Sequence, residues 1–127
     1  MDCVFCKIVK GEIPCYKIYE DKNYIAFLDI ANDVEGHTLV VPKKHVKDMN
    51  ECDEKLFLGT MAVAKKIAGH YIDLGYDSTN LYIVGEDVKH LHVHVLPRRV
   101  NDGVKVKFEC KKLDRDLAAL AEKLRLN

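Results

Sequence analysis

His90-Leu91-His92-Val93-His94-Val95-Leu96-Pro97 is the stretch whose reading decides the fold. Side chains on a β-strand alternate between faces, so His90, His92 and His94 share one face while Leu91, Val93 and Val95 share the other. The aliphatic face reads as core. Packing gives no reason for three imidazoles in a row on the opposite face. Two chemistries do. One is a metal site, because imidazole is the commonest protein metal ligand and His-x-His on a strand can grip one ion. The other is nucleophilic catalysis, with one neutral ring attacking and its neighbours orienting it and moving protons. Spacing alone leaves both open.

Outward from this strand, the chain reads as a short alternation of strands around one long helix. Tyr16–Glu20 and Tyr24–Asp29 are predicted strands joined by a turn at residues 20–23, and Gly36–Pro42 is a third, ended by its proline. Asp53 is a suitable N-cap for a helix running to Gly75, with Phe57, Met61, Ala64, Ala68, Tyr71 and Ile72 on its apolar face and His70 exposed. Residues 80–84 form a fourth predicted strand, and Gly85 to Lys89 turn it back into the histidine strand. Cys3–Lys10 is a short helical segment closed by Gly11, and residues 113–126 hold a C-terminal amphipathic helix marked by Leu113, Leu117, Leu120 and Leu124. The expected class is α+β: an antiparallel five-stranded meander with one long helix across it and short helices at each end. One edge strand then needs cover, which makes a homodimer the expected assembly.

The 127 residues suit a single domain spanning 1–127, 48% of it apolar, with Lys+Arg and Asp+Glu balanced at 20 each. That balance offers no electrostatic argument for a nucleic acid or a membrane surface. The opening Met1-Asp2-Cys3-Val4 lacks a basic n-region and a long apolar stretch, which makes the cytoplasm the expected compartment. Five cysteines, Cys3, Cys6, Cys15, Cys52 and Cys110, are odd in number and unevenly spread, so a disulfide framework is not expected. Only Cys3-x-x-Cys6 has metal-ligand spacing. Asp29 reads either as a turn-initiating residue or as a carboxylate held at a sheet edge to accept hydrogen bonds. By itself His45 reads as part of a polar loop, and the Arg98-Arg99 pair as a solvated end.

Four segments in order resemble the histidine triad family. His90-Leu91-His92-Val93-His94-Val95-Leu96 is similar to its signature, and Cys3-x-x-Cys6-Lys7-Ile8 with Gly11-Glu12-Ile13-Pro14 to its opening. Ala26-Phe27-Leu28-Asp29-Ile30 resembles its nucleoside-facing strand, and Gly36-His37-Thr38-Leu39-Val40-Val41-Pro42-Lys43-Lys44-His45 the next one. The resemblance covers about residues 3–98.

It implies nucleotidyl hydrolase or transferase chemistry on nucleoside phosphoramidates or dinucleoside polyphosphates. The middle histidine, His92, would attack the α-phosphorus to form a nucleotidyl-histidine intermediate, with His94 at the phosphate or leaving group and His90 completing the triad. Asp29 would bind ribose hydroxyls beside Phe27, Leu28 and Ile30. Asn80, Gly85 and Asp87 fall at the phosphate-contacting turn. The resemblance also implies a structural zinc on Cys3, Cys6, His45 and His90, a closed tetrahedral set that fastens the N-terminus to the histidine strand. A tri-histidine zinc enzyme is the weaker reading, since the cysteines and His45 offer a better use of His90. The turn before the triad is shorter than in many family members, with Glu86 where glutamine is usual and Asp87 where a small hydroxyl residue often stands. An ionised carboxylate there repels phosphate, so the alternative is a non-catalytic nucleotide- or protein-binding module with a degenerate phosphate pocket.

Overall fold

The structure is a computed structural model that describes residues 2–85, 87–105 and 113–127. In chain order the elements are α1 (Val4–Val9), β1 (Lys17–Glu20), β2 (Tyr24–Leu28), β3 (Thr38–Pro42), α2 (Glu54–Asp73), β4 (Ser78–Tyr82), β5 (Val93–Arg98) and α3 (Leu117–Leu124). All five strands join one antiparallel sheet, with one long helix and short terminal helices, as the sequence predicts.

Strand order departs from a plain meander. The sheet runs β1-β2-β3-β5-β4, so the chain leaves β3, crosses along α2 to the far edge, and returns through β5 into the gap. Burial explains the exchange. Five of the six β5 residues are buried, whereas β4 buries none completely. The strand with two dry faces takes the inner slot and the half-wet strand takes the edge.

α2 is 20 residues long, about 30 Å, enough to span the sheet. The Asp53 carboxylate accepts the Leu56 N–H at its start, and Gly75, at φ +105°, follows its end. Its inner face is Thr60, Val63, Ala64, Ile67 and Tyr71, packed on Ala26, Val40, Val93 and Val95. Ile72, predicted on that face, is exposed; the stripe runs through Ile67 and Tyr71, and Ile72 lies a further 100° round. His70 is exposed, as predicted.

The opposite sheet face is covered by α1, where Cys3 and Phe5 pack with Ile25, Phe27, Leu39 and Val41. The β5 ladder begins only at Val93, so His90 and His92 precede the strand instead of sitting in it. Pairing with β3 stops at Val40–Val93. Beyond it the Leu91 N–H donates to Val46 O at 2.8 Å, and the His90 ring takes the Pro42 carbonyl. Those bonds replace the ladder while the backbone alternation continues, and Leu91 still packs in the core with Val46 and Cys52.

β4 starts two residues earlier than predicted and ends at Tyr82. The C-terminal helix is shorter than the predicted 113–126, and Leu113, Leu117 and Leu124 are exposed. Cys3, Cys6, Cys15 and Cys52 are free thiols; Cys110 and Glu86 lie outside the described residues. Among the described residues no helix is long and apolar enough to cross a membrane.

Candidate active site

Each of the three triad histidines has one ring nitrogen fixed by a hydrogen bond, two of them to residues distant in sequence. His90 is fully buried, and its Nε2–H donates to the Pro42 carbonyl at 2.8 Å. Its Nδ1 is therefore a lone pair, and burial holds the ring below its ordinary pKa, in the neutral form. That lone pair meets Cys3 Sγ at 3.4 Å, Cys6 Sγ at 3.6 Å and His45 Nδ1 at 3.2 Å, while Cys6 Sγ lies 3.3 Å from His45 Nδ1.

A tetrahedral ion with Zn–S of about 2.3 Å and Zn–N of about 2.0 Å needs sulfur–nitrogen edges of about 3.6 Å and a nitrogen–nitrogen edge of about 3.3 Å. The three sulfur–nitrogen distances and the nitrogen–nitrogen distance given above match those edges. Two thiol sulfurs and two ring nitrogens, the nitrogens 3.2 Å apart, converge on one point, so Cys3, Cys6, His45 and His90 form a set able to hold a metal ion. His45, read alone as a solvated loop residue, is drawn into it. The cluster is placed by α1, where Cys3 is the N-cap and its sulfur accepts the Cys6 N–H.

Two residues on, His92 is 2% exposed, and its Nδ1–H donates to the His90 carbonyl at 2.8 Å. Its Nε2 faces a cleft of about 240 Å³. Phe5 meets the His92 ring edge-on, with centroids 5.1 Å apart. The cleft brings Phe27, Leu28, Asp29, Ile30 and Asp87 together with His92 and His94. It is apolar apart from the two carboxylates and the imidazoles, the mixture that suits a base and sugar on one side and phosphate on the other. Asp87 Oδ1 lies 3.3 Å from His92 Nε2. Burial pushes the Asp87 carboxyl up, but the Val88 N–H and the adjacent imidazole of His92 outweigh it, and the net direction is down.

His94 is stacked on Tyr82, rings 4.2 Å apart and 7° from parallel. Its Nδ1 lies 2.8 Å from His37 Nε2, and His37 Nδ1 lies 2.7 Å from Asp33 Oδ1. A carboxylate only accepts, so in the neutral tautomer His37 donates from Nδ1, accepts at Nε2, and receives the His94 Nδ1–H. His94 Nε2 is thereby left as a buried lone pair without a hydrogen-bond partner among the described residues. Burial first, then the neighbouring His92 and His37, bring the His94 pKa down to about 4. Asp33 and His37 were given no role by the sequence reading. His37 stands two residues before Leu39, the cross-strand partner of His94, a neighbourhood that only the register of the ladder reveals.

Two residues expected to contact phosphate, Asn80 and Gly85, do not line the cleft. Asn80 Oδ1 accepts from Arg98 Nη1 at 2.7 Å, in a cluster where Asp102 holds the same guanidinium. Its neighbour across the ladder is Leu96, two residue pairs further along than Tyr82 and His94, so it stops short of the cleft. Gly85 sits in the turn before Asp87 and does not line the cleft; its carbonyl accepts from Lys89 Nζ.

The HIT domain family model matches residues 10–101. An uncharacterised HIT-like protein of Methanocaldococcus jannaschii is 42% identical over 120 residues, 90% of this chain and 93% of that protein. The adenosine 5′-monophosphoramidase of Schizosaccharomyces pombe is 39% identical over 100 residues, 77% of this chain and 75% of that one. Among solved structures, a Zn-bound histidine triad family protein from Mycobacterium smegmatis superposes with a TM-score of 0.79 at 37% identity, covering 97% of this chain and 96% of that one. With four ordered motifs, the sheet and the paired imidazoles in agreement, the chain belongs to the HIT family.

Proposed function

We propose that the protein is a nucleotidyl hydrolase or transferase that works on nucleoside phosphoramidates or dinucleoside polyphosphates through a covalent intermediate on His92. The observation that carries this reading is the His92 Nδ1–H bond to the His90 carbonyl, which leaves Nε2 as a lone pair at the cleft. A neutral ring held in one tautomer is a competent nucleophile near pH 7. Two relatives, from Schizosaccharomyces pombe and Saccharomyces cerevisiae, are named adenosine 5′-monophosphoramidases, which makes adenosine phosphoramidate the first substrate to try.

In the proposed reaction, the His92 Nε2 lone pair forms a bond to the α-phosphorus as the bond to the departing amine or phosphate breaks. The leaving group keeps that bonding pair and takes a proton from His94 Nε2. His94 carries this proton only once anionic phosphate lies beside it, because burial otherwise keeps the ring neutral. Water then attacks the nucleotidyl group, its proton passes to His94, and the electrons of the P–N bond return to His92. Asp29 takes the ribose hydroxyls, with Phe27, Leu28 and Ile30 along the base.

We assign zinc to the Cys3, Cys6, His45 and His90 cluster on its two-sulfur, two-nitrogen donor set. When bound it supplies a structural tether, with all four positions taken by protein and none open to water. It would hold His90, whose carbonyl accepts from the His92 ring.

One observation favours the non-catalytic alternative: a carboxylate already stands against the nucleophile, Asp87 on His92. That carboxylate is more than half exposed and can turn aside for a ligand. For assembly, the β4 edge, which has a single neighbour among the described residues and leaves Leu81 and Val84 exposed, supports a homodimer, which light scattering on the eluting protein tests.

The decisive experiment is to trap the intermediate with adenosine phosphoramidate labelled at phosphorus. An acid-labile adduct mapped to His92, absent in His92→Ala, supports the proposal. Full turnover by His92→Ala removes it.

A further inference from the structure

A second group of metal-competent side chains lies at the cleft, separate from the cysteine cluster. Asp87, His92 and His94 offer one ligand atom each within 4.8 Å of one another, and so do Asp29, His37 and His94. Hydrogen bonding decides between the two. His37 spends both nitrogens, on Asp33 and on His94, and the Nδ1 of His94 is spent on His37. The Asp29 group is therefore already closed by its own bonds.

The Asp87 group is open. His92 donates from Nδ1 to the His90 carbonyl, and His94 donates from Nδ1 to His37, so both rings present bare Nε2 atoms to the same point. His94 is 5% exposed, with no partner for that atom among the described residues. A carboxylate oxygen completes the group 3.3 Å from His92 Nε2. Two lone pairs and a carboxylate directed at one place repel each other until a cation stands between them. A proton shared by His92 and Asp87 satisfies two of the three; a divalent ion satisfies all three. The outer partners are those that orient metal-ligating imidazoles: a backbone carbonyl on His92, and the His37–Asp33 pair on His94.

We propose that Asp87, His92 Nε2 and His94 Nε2 form a second, exchangeable site for a late first-row divalent ion, and that filling it switches the enzyme off. Two imidazoles and one carboxylate on one side of an ion leave positions for water, a donor set that suits such metals and disfavours magnesium or calcium. Occupancy consumes the lone pair of His92 that would attack phosphorus, so metal and nucleotidyl transfer exclude each other. The regulatory half of this inference rests on the proposed role of His92; the binding half does not.

The test uses tag-free protein carrying its full complement of zinc, dialysed against Ni²⁺, with bound nickel and retained zinc counted together. The expected result is one nickel per chain with zinc unchanged. Asp87→Asn and His94→Gln should each weaken nickel binding by about tenfold or more, as loss of one ligand in three does. Asp87 is exposed, so its variant reports even where the buried histidine variant fails to fold; retained zinc and an unchanged melting temperature certify each. Hydrolysis of adenosine phosphoramidate should fall with a half-point at the nickel dissociation constant. Absence of stoichiometric nickel at submillimolar concentration, or equal binding by both variants, overturns the site. Stoichiometric nickel without any hydrolysis by the metal-free cleft leaves the site standing and removes the proposed function instead. Undiminished hydrolysis at nickel saturation overturns the switch.

Discussion

His37 and His94, 57 residues apart, are joined ring to ring, Nε2 to Nδ1 at 2.8 Å, and Asp33 closes the row behind His37. This pair sets which nitrogen of His94 faces the cleft. His37→Gln removes the acceptor at Nε2 and frees the His94 ring to turn or change tautomer. The expected loss in kcat is about 10–100-fold, as for other partners that orient a working imidazole, with nucleotide affinity changed much less. Asp33→Asn keeps the size but loses the charge, and should cost less while displacing the pH–rate profile. Steady-state kinetics across pH checks both. An unchanged profile in Asp33→Asn would show the carboxylate to be a surface partner only.

Removing the metal from the cysteine cluster should loosen the N-terminal segment. Cys3 and Phe5 belong to the same buried group as Phe27 and Leu39, so α1 depends on both packing and ligation. Chelator treatment or Cys6→Ser should lower the melting temperature by about 10 °C or more, since structural metal binding adds directly to folding free energy. About one zinc per chain is expected before chelation. A metal-free protein with the same melting temperature would sink the assignment.

Acid should destabilise the fold through His94. Its pKa is about 4 when folded, against 6.5 for a free histidine, so between those values the unfolded chain binds a proton that the folded one refuses. The stabilisation is complete above pH 6.5 and is lost as pH falls towards 4. The shift is worth at most about 3.5 kcal/mol, at about 1.4 kcal/mol per unit. Denaturant melts from pH 7.5 to 4.5 in chelator, which sets metal release aside, should show this slope. His94→Gln should reduce it, leaving the part that belongs to buried His90.

The sheet, the long helix and the terminal helices were legible in the sequence because their patterns are local. Two-residue alternation marks the strands, and Asp53 and Gly75 mark the limits of α2. The β5–β4 exchange was not, since strand order follows from the relative burial of strands that look equally apolar in isolation. At the site, the cluster of Cys3, Cys6, His45 and His90 emerged from a family pattern; no local rule pairs a loop histidine with a cysteine 39 residues away. Asp33 and His37 escaped for the same reason. Their value comes from a partner across the ladder, and a lone histidine at the start of a strand is indistinguishable from an ordinary buried one. Asn80 erred the other way: its type suits phosphate, but Arg98 had a prior claim on it.

Two glycines of α2 should respond oppositely to alanine. Alanine gains about 1 kcal/mol over glycine in a helix interior. At Gly69 an added methyl meets open space, so Gly69→Ala should stabilise by roughly that amount. At Gly59 the methyl would collide with the Tyr24 phenol, which packs against the main core. Gly59→Ala should therefore lose the propensity gain and destabilise by about 1–3 kcal/mol, the usual cost of overpacking. Urea melts of the two variants side by side decide it, and a stabilised Gly59→Ala would mean that Tyr24 swings out at no cost.

Asp87 should be the site's selector. Its carboxyl is held below the usual range, so it is ionised at neutral pH, and it stands 3.3 Å from the nitrogen proposed to bond phosphorus. A monophosphate product carries two negative charges, whereas the phosphorus of a phosphoramidate or an internal polyphosphate linkage carries one. Repulsion thus falls harder on product than on substrate. Asp87 is more than half exposed, so solvent screens the contact to nearer about 1 kcal/mol than the values of a dry interior. Asp87→Asn should tighten adenosine monophosphate binding by about tenfold or less, leave unphosphorylated adenosine unaffected, and slow turnover where product release limits it. Calorimetry with both ligands at low and moderate salt distinguishes charge from shape, since only the charge effect shrinks with salt. Unchanged or weaker monophosphate binding in the variant would mean that the carboxylate is neutralised by His92 or turns away when phosphate arrives.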